Sequence, residues 1–261
     1  MEIIGYIAAV FMGLTLGIIG GGGSILTVPI LVYLMGVSPT VATGYSLLIV
    51  GSAAAFGAYR YYKKGLIQIK TSLVFALPSI VAVYCTRAFL MPALPQEIPI
   101  GAFSLNKDMS IMVLFACLMV LSAVMMFRNS KKLEPPKSSE HHYVLIVVEG
   151  AVVGVATGIL GAGGGFLIIP ALVLLIGMPM KQAVGASLFI ITLKSLIGFV
   201  GDLQSGIDIQ MPMLAFFLTA TLGGMYVATQ LAHKIEGQKL QKAFAIFTLL
   251  IACVILLKEL V

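Results

Sequence analysis

Two short stretches carry the chemistry this chain can do. One reads GIIGGGGSILTVP, Gly17 to Pro29, and the other GILGAGGGFLIIP, Gly158 to Pro170. Each sets a glycine cluster inside strongly apolar sequence. Glycine in a helix interior costs roughly 1 kcal/mol against alanine, so both stretches predict a broken helix. A glycine break lets the backbone turn sharply and come close to a ligand. The helical arm that follows begins with unpaired N–H groups at the positive end of its dipole, an arrangement that binds anions. Gly22, Gly23, Gly163 and Gly164 immediately precede the second arms and are the predicted contacts, with Gly21, Ser24 and Gly165 beside them. The competing reading is close helix packing, which accounts well for single glycines and poorly for four adjacent ones.

Side chains add to this. Ser46 and Ser187 stand at matched places in the apolar segments after the two breaks, where a hydroxyl can donate to an anion or to its own helix. Lys194 is a formal charge well inside an apolar segment, and an intramembrane cation is a functional candidate by default. It lies seven residues before Gly201, roughly 10 Å of helix, so snorkelling to an interface is the alternative. Glu149 is read as snorkelling, with proton shuttling as its functional alternative. Arg87 and Asp202 are read as interface residues, with an external mouth as the alternative place for Arg87, and Tyr45 as helix packing.

The elements that must position these residues are membrane spans. The 261 residues are 60% hydrophobic and 10% charged, with a mean hydropathy of +1.09. Soluble domains carry about 25% charged residues. Eight apolar segments lie near 3–36, 39–59, 71–91, 109–127, 143–177, 180–200, 211–232 and 243–257. The first has no basic stretch ahead of it and is not expected to be a secretory signal. Cys85, Cys117 and Cys253 fall inside apolar runs and are predicted to be small buried hydrophobes. His141 and His142 belong to a polar loop and have no third ligand at a useful spacing. No metal, cofactor, nucleophile–base pair or phosphate-loop lysine is predicted, which argues against an enzyme, and the net charge of +6 calls for no nucleic acid.

The chain is a repeat. Gly20 matches Gly161 at an offset of 141 residues, and the same offset pairs Gly17 with Gly158, Pro29 with Pro170, Gly36 with Gly177, Ser46 with Ser187 and Gly57 with Gly198. The first repeat is 1–127, a cytoplasmic linker 128–142 follows, and the second repeat is 143–261. Loop charge orients them. Arg60, Lys63, Lys64 and Lys70 mark a cytoplasmic loop, as do Arg128, Lys131, Lys132 and Lys137, whereas the partner loop of the first carries Asp202 and Asp208. Residues 143–177 would make a helix of about 52 Å against a hydrocarbon core of about 30 Å. Folded at Gly161–Gly165 they become a hairpin that returns to its own side, and residues 3–36 follow suit. The fold expected is therefore an all-α polytopic membrane protein of two inverted repeats, each opening with a glycine-broken hairpin, about ten helical pieces in all, with both termini outside. A long tilted single span is the alternative for the first and fifth segments. It would place Asp202 on the Arg60 side.

The doubled glycine motif, each followed by a proline and then by TGYS (Thr43–Ser46) or VGAS (Val184–Ser187), resembles the TauE/SafE family of membrane transporters, the sulfite exporters. The resemblance covers nearly the whole chain and implies movement of small sulfur-containing anions such as sulfite, sulfoacetate and related organosulfonates. The halves depart from each other where Ser24 stands opposite Gly165 and Gly21 opposite Ala162, so the two half-sites are not chemically equal. The expected function is secondary transport, with export the favoured direction, at a midplane anion site exposed to each side in turn. Protons are a candidate coupling ion. An anion channel or a carrier of other small organic anions is the alternative.

Overall fold

The computed structural model describes residues 2–100, 103–129, 142–161, 163–207, 209–231 and 237–260. Helix dominates. α1 (Glu2–Ile19) runs into a 3-10 segment over the glycines, Gly20–Leu26, and then α2 (Thr27–Tyr33). α3 (Pro39–Lys63) is followed by α4 (Ile69–Cys85), a π turn (Thr86–Leu90) and the short α5 (Met91–Ala93). Strands β1 (Glu97–Ile100) and β2 (Phe103–Asn106) form a small antiparallel hairpin, the one departure from an all-α chain among the described residues. α6 (Lys107–Asn129) completes the first half. α7 (His142–Leu160), the glycine loop, α8 (Gly165–Pro170), a second π turn (Ala171–Leu175), α9 (Met180–Gln204), α10 (Met211–Leu231) and α11 (Gly237–Leu260) form the second. α6 and α7 thus each reach into the expected 128–142 linker, whose interior, with His141, lies outside the described residues.

Six helical stretches among the described residues are long and apolar enough to cross a membrane: Ile3–Tyr33, Pro39–Lys63, Ile69–Ala93, Lys107–Phe127, Met180–Gln204 and Met211–Leu231. The first of these does not cross in one pass. Gly5 lies against Met35, Thr27 donates to the Met12 sulfur at 3.1 Å, and Gly23 abuts the backbone of Thr15 and Leu16. Residues 30 apart in a straight helix would be separated by about 45 Å, so the segment folds back on itself. The fifth segment does the same. Gly150 sits against Phe75 and Pro78 in the middle of α4, and Gly158 against Thr86 just past its end. Gln182, at the start of α9, accepts from Gln68 at 2.7 Å, so the chain has returned to the end where α4 begins.

α3 and α9 are counterparts at the 141-residue offset, and they cross antiparallel. Gly44 faces Asp202, Gly51 faces Leu196, and Gly57 faces Leu188, so each step down one helix is a step up the other. Asp202 consequently lies at the opposite end of the bundle from Arg60, as the hairpin requires and the single tilted span does not. The remaining helices pair across the halves. α1 packs on α10 through Gly13, Gly17 and Gly224, and α7 packs on α4 through Gly150, Gly154 and Gly158. Small residues there let backbones meet, which is how helices associate in a solvent as apolar as they are.

Large apolar side chains cover the outside, among them Leu77, Val81, Phe89, Phe216 and Leu257, each more than 60% exposed. In a bilayer this is the lipid face. Cys85, Cys117 and Cys253 belong to it, since all three are exposed. The expectation that they are buried is corrected: an apolar run has an outer face as well as an inner one, and hydropathy does not tell the two apart.

Candidate functional site

The two hairpin tips meet inside the bundle. Gly21 and Gly165 touch backbone to backbone, and a methyl on Gly165 would fall on the Cα, carbonyl carbon and oxygen of Gly21. Each tip is held by a serine of the other half. Ser46 donates to the carbonyl of Gly161 at 2.8 Å, and Ser187 accepts from the amide of Gly21 at 3.2 Å while donating to Val184 O in its own helix. The two serines therefore clasp the tips across the halves. Ser24 donates to Gly21 O at 2.5 Å and lies near Gly163.

The tips differ. The first winds as a 3-10 helix with a single positive φ, at Gly20 (+74°). The second opens into a loop with positive φ at Gly161, Gly163 and Gly164 (+67°, +63° and +68°), a conformation that L side chains adopt at a cost. Gly22 packs on Phe244, Gly23 on the first arm, and Gly163 on Val50. Gly164 packs on Thr157 and lies under the ammonium of Lys194, 2.7 Å from where a Cβ would stand.

Lys194 is fully buried. Its Nζ donates to Thr157 Oγ1 at 2.8 Å, and no carboxylate among the described residues pairs with it. It does not snorkel. It stands inside the bundle on the second glycine loop, with the unpartnered hydroxyl of Ser195 beside it in sequence. Thr157 was not anticipated as its neighbour. A signal existed: the counterparts of Lys194 and Thr157 at the 141-residue offset are Ala53 and Leu16, so two departures from the repeat coincide in space.

Arg87 and Asp202 are a second surprise. They are not interface residues but a buried pair, 1% and 6% exposed, with Arg87 Nη1 donating to Asp202 Oδ1 at 3.4 Å and to Thr43 Oγ1 at 3.1 Å. The pair lines a cavity of about 350 Å³ at the Asp202 end of the bundle. Tyr45 packs as expected, buried, its hydroxyl accepting from the amide of Gln210 at 2.9 Å. Glu149 is half-buried, with one carboxylate oxygen unpartnered. No group of three or more metal-ligating side chains occurs among the described residues.

Paired hairpins whose tips meet at depth, a buried cation at one of them and a lipid-facing exterior define a polytopic helical membrane transporter. The particular family follows from comparison with known proteins. Residues 5–255 match the model of the sulfite exporter TauE/SafE family, and the chain belongs to that family. It is 28% identical over 247 residues to a probable membrane transporter protein of Xylella fastidiosa, covering 92% of this chain and 89% of that one. It is also 28% identical to the probable membrane transporter protein YunE of Bacillus subtilis, covering 95% and 96%. A probable membrane transporter protein of Haemophilus influenzae is 26% identical, with 94% of each chain covered. No solved structure matches.

Proposed function

We propose that this protein is a secondary transporter, working as an exporter, of small sulfur-containing anions such as sulfite or organosulfonates. The anion sits at the second hairpin tip against Lys194 Nζ, with Gly163, Gly164 and Gly165 on one side and Gly21, Gly22, Gly23 and Ser24 of the first tip across from them. Ser46 and Ser187 fix the two tips rather than touch the anion. The observation that carries the reading is the fully buried, carboxylate-free ammonium of Lys194 on the glycine loop. A buried cation is strongly unfavourable unless paired, and an anion is the natural counter-charge. The sulfur-containing class is taken from the family.

Two inverted repeats, 1–127 and 143–261, joined by the linker 128–142, would expose this site to each side in turn. The antiparallel crossing of α3 and α9 supports that symmetry. A membrane potential positive outside favours anion exit by about 2.3 kcal/mol per charge per 100 mV, and protons are the candidate coupled ion. Proteoliposomes preloaded with sulfite test the reading. Saturable, trans-stimulated exchange of sulfite or methanesulfonate is the expected result. Non-saturable flux with single-channel currents makes the protein a channel, and exchange of carboxylates without sulfonates moves it to another anion class.

Orientation is a separate expectation. The positive-inside rule places the Arg60–Lys70 loop in the cytoplasm and the Asp202 end, with both termini, outside. In a background with the three lipid-facing cysteines replaced, Ser205→Cys should react with a membrane-impermeant maleimide added outside, and Lys64→Cys should not. The reverse pattern turns the molecule over.

A further inference from the structure

We infer that the cavity at the Asp202 end is a second anion site, in series with the first, where an incoming or departing oxyanion competes with Asp202 for Arg87. The inference rests on the reading of the protein as an anion carrier. Arg87 is 1% exposed, yet its Nε and Nη2 have no partner, and Asp202 Oδ2 has none either. A guanidinium offers five donors in a planar fork suited to an oxyanion. Here one nitrogen carries both of its side-chain contacts, and the carboxylate is met by one oxygen at 3.4 Å rather than by two. The pair is underused.

The rest of the lining favours a negative guest. Lys107 is buried and its ammonium bonds only backbone carbonyls, Met91 O at 2.7 Å and Leu94 O at 3.4 Å. Asp108, the neighbouring carboxylate, is turned to the amide and hydroxyl of Thr40. Among the described residues, Asp202 is thus the one carboxylate lining the cavity, against the two cations Arg87 and Lys107. The rim residues Gln96 and Ser205 are exposed, so the cavity is reached from that end of the bundle.

The site is joined to the first one. Arg87 donates to Thr43, the backbone of Thr43 abuts Gly161, and Gly161 opens the loop that carries Gly164 beneath Lys194. Arg87, Asp202 and Thr43 belong to three separate elements, the π turn after α4, the end of α9 and the start of α3. The contact with Arg87 therefore ties these elements together until an anion takes the guanidinium. The other end of the bundle is built differently. The counterparts of Arg87, Asp202 and Thr43 at the 141-residue offset are Ala228, Tyr61 and Val184, and Tyr61 simply donates to Gly17 O at 3.1 Å. Among the described residues the Arg87–Asp202 pair thus occurs at one end alone, and the cavity at the other end is lined by Arg60 and Lys64 instead.

Binding of methanesulfonate, a sulfonate stable to oxidation, to the purified full-length protein tests this by calorimetry. Lys194→Met silences the first site, and in that background one weaker class of binding should remain. Adding Arg87→Gln should weaken it by about tenfold or more, the scale of one charge-assisted contact. Adding Asp202→Asn should instead tighten it by about tenfold, because the competing carboxylate is gone while the cation stays. A merely structural ion pair would lose stability in both variants and gain affinity in neither. Complete loss of binding in Lys194→Met alone overturns the second site and leaves the first standing. Residual binding that ignores both Arg87→Gln and Asp202→Asn overturns it too. Unchanged affinity in Lys194→Met, with loss on Arg87→Gln, keeps the second site and removes the first.

Discussion

Lys194→Met is expected to weaken sulfonate binding at the proposed hairpin-tip site by tenfold to more than a hundredfold and, in the same protein, to raise thermal stability. Both effects come from one fact: the ammonium is fully buried with a single side-chain partner, Thr157 Oγ1 at 2.8 Å. A hydrogen bond to a charged group is worth about 1.5–3 kcal/mol, while desolvating the ion costs several kcal/mol. Burying this charge without a counter-ion is therefore unfavourable, and on the proposed reading a bound anion offsets that cost. Methionine fills nearly the same volume without the charge. It forfeits the anion's counter-charge, and the unfavourable desolvation disappears, which should stabilise the unliganded protein by about 1–3 kcal/mol. Lys194→Arg keeps the charge and should keep part of the affinity. Affinity and melting temperature measured on one preparation decide the matter. A Met variant with wild-type affinity and wild-type stability would mean that the lysine is neither site nor burden.

Much of this arrangement was legible before any coordinates. Gly20 and Gly161 at a constant offset, with Pro29 and Pro170 behind them, announce a repeat. The basic Arg60 loop against the acidic Asp202 loop forces an odd number of crossings, and hence the hairpins. Hydropathy and charge are properties of whole segments, which is why they survive without a structure. What stayed hidden is pairwise. Arg87 and Asp202 are 115 residues apart, and each looks like an interface residue on its own segment; only the packing of α4 and the π turn after it on α9 makes them one buried pair. Symmetry singles out the two serines as candidate anion donors, but it could not say that each would clasp the tip of the other half. The cysteines were misjudged because an apolar residue in a lipid-facing protein has no reason to prefer the inside. Thr157 went unnoticed because its importance lies in what the repeat lacks opposite it, Leu16.

Gly164→Ala and Gly165→Ala should fail in different ways, although they are neighbours. Gly164 has φ +68°, where alanine is strained by roughly 1–2 kcal/mol, and its new methyl would meet the side chain of Thr157 and come within 2.7 Å of Lys194 Nζ. The ammonium ends a flexible side chain and can move, whereas Thr157, whose Cβ is also in the way, moves only with its helix; either shift displaces the ammonium proposed to bind the anion. The expected result is a protein that inserts and purifies but binds sulfonate at least tenfold more weakly and does not transport. Gly165 has an ordinary φ, and its methyl would fall on the backbone of Gly21, which cannot step aside without parting the two tips. Overpacking of this kind costs about 1–3 kcal/mol or more, so the expected result is lost yield and a lowered melting temperature. Gly36→Ala is the control: φ is +72° with nothing within 4 Å of the added carbon, so it carries the strain of a left-handed alanine and touches neither tip. Its stability should fall slightly and its affinity not at all. The Gly23→Ala, Gly164→Ala double variant sharpens the contrast, since Gly23 abuts the backbone of Thr15 and Leu16 and sets how closely the first hairpin closes. Intact anion affinity in whatever fraction of that variant folds would reduce the glycines to joints between helices and place the anion away from both tips.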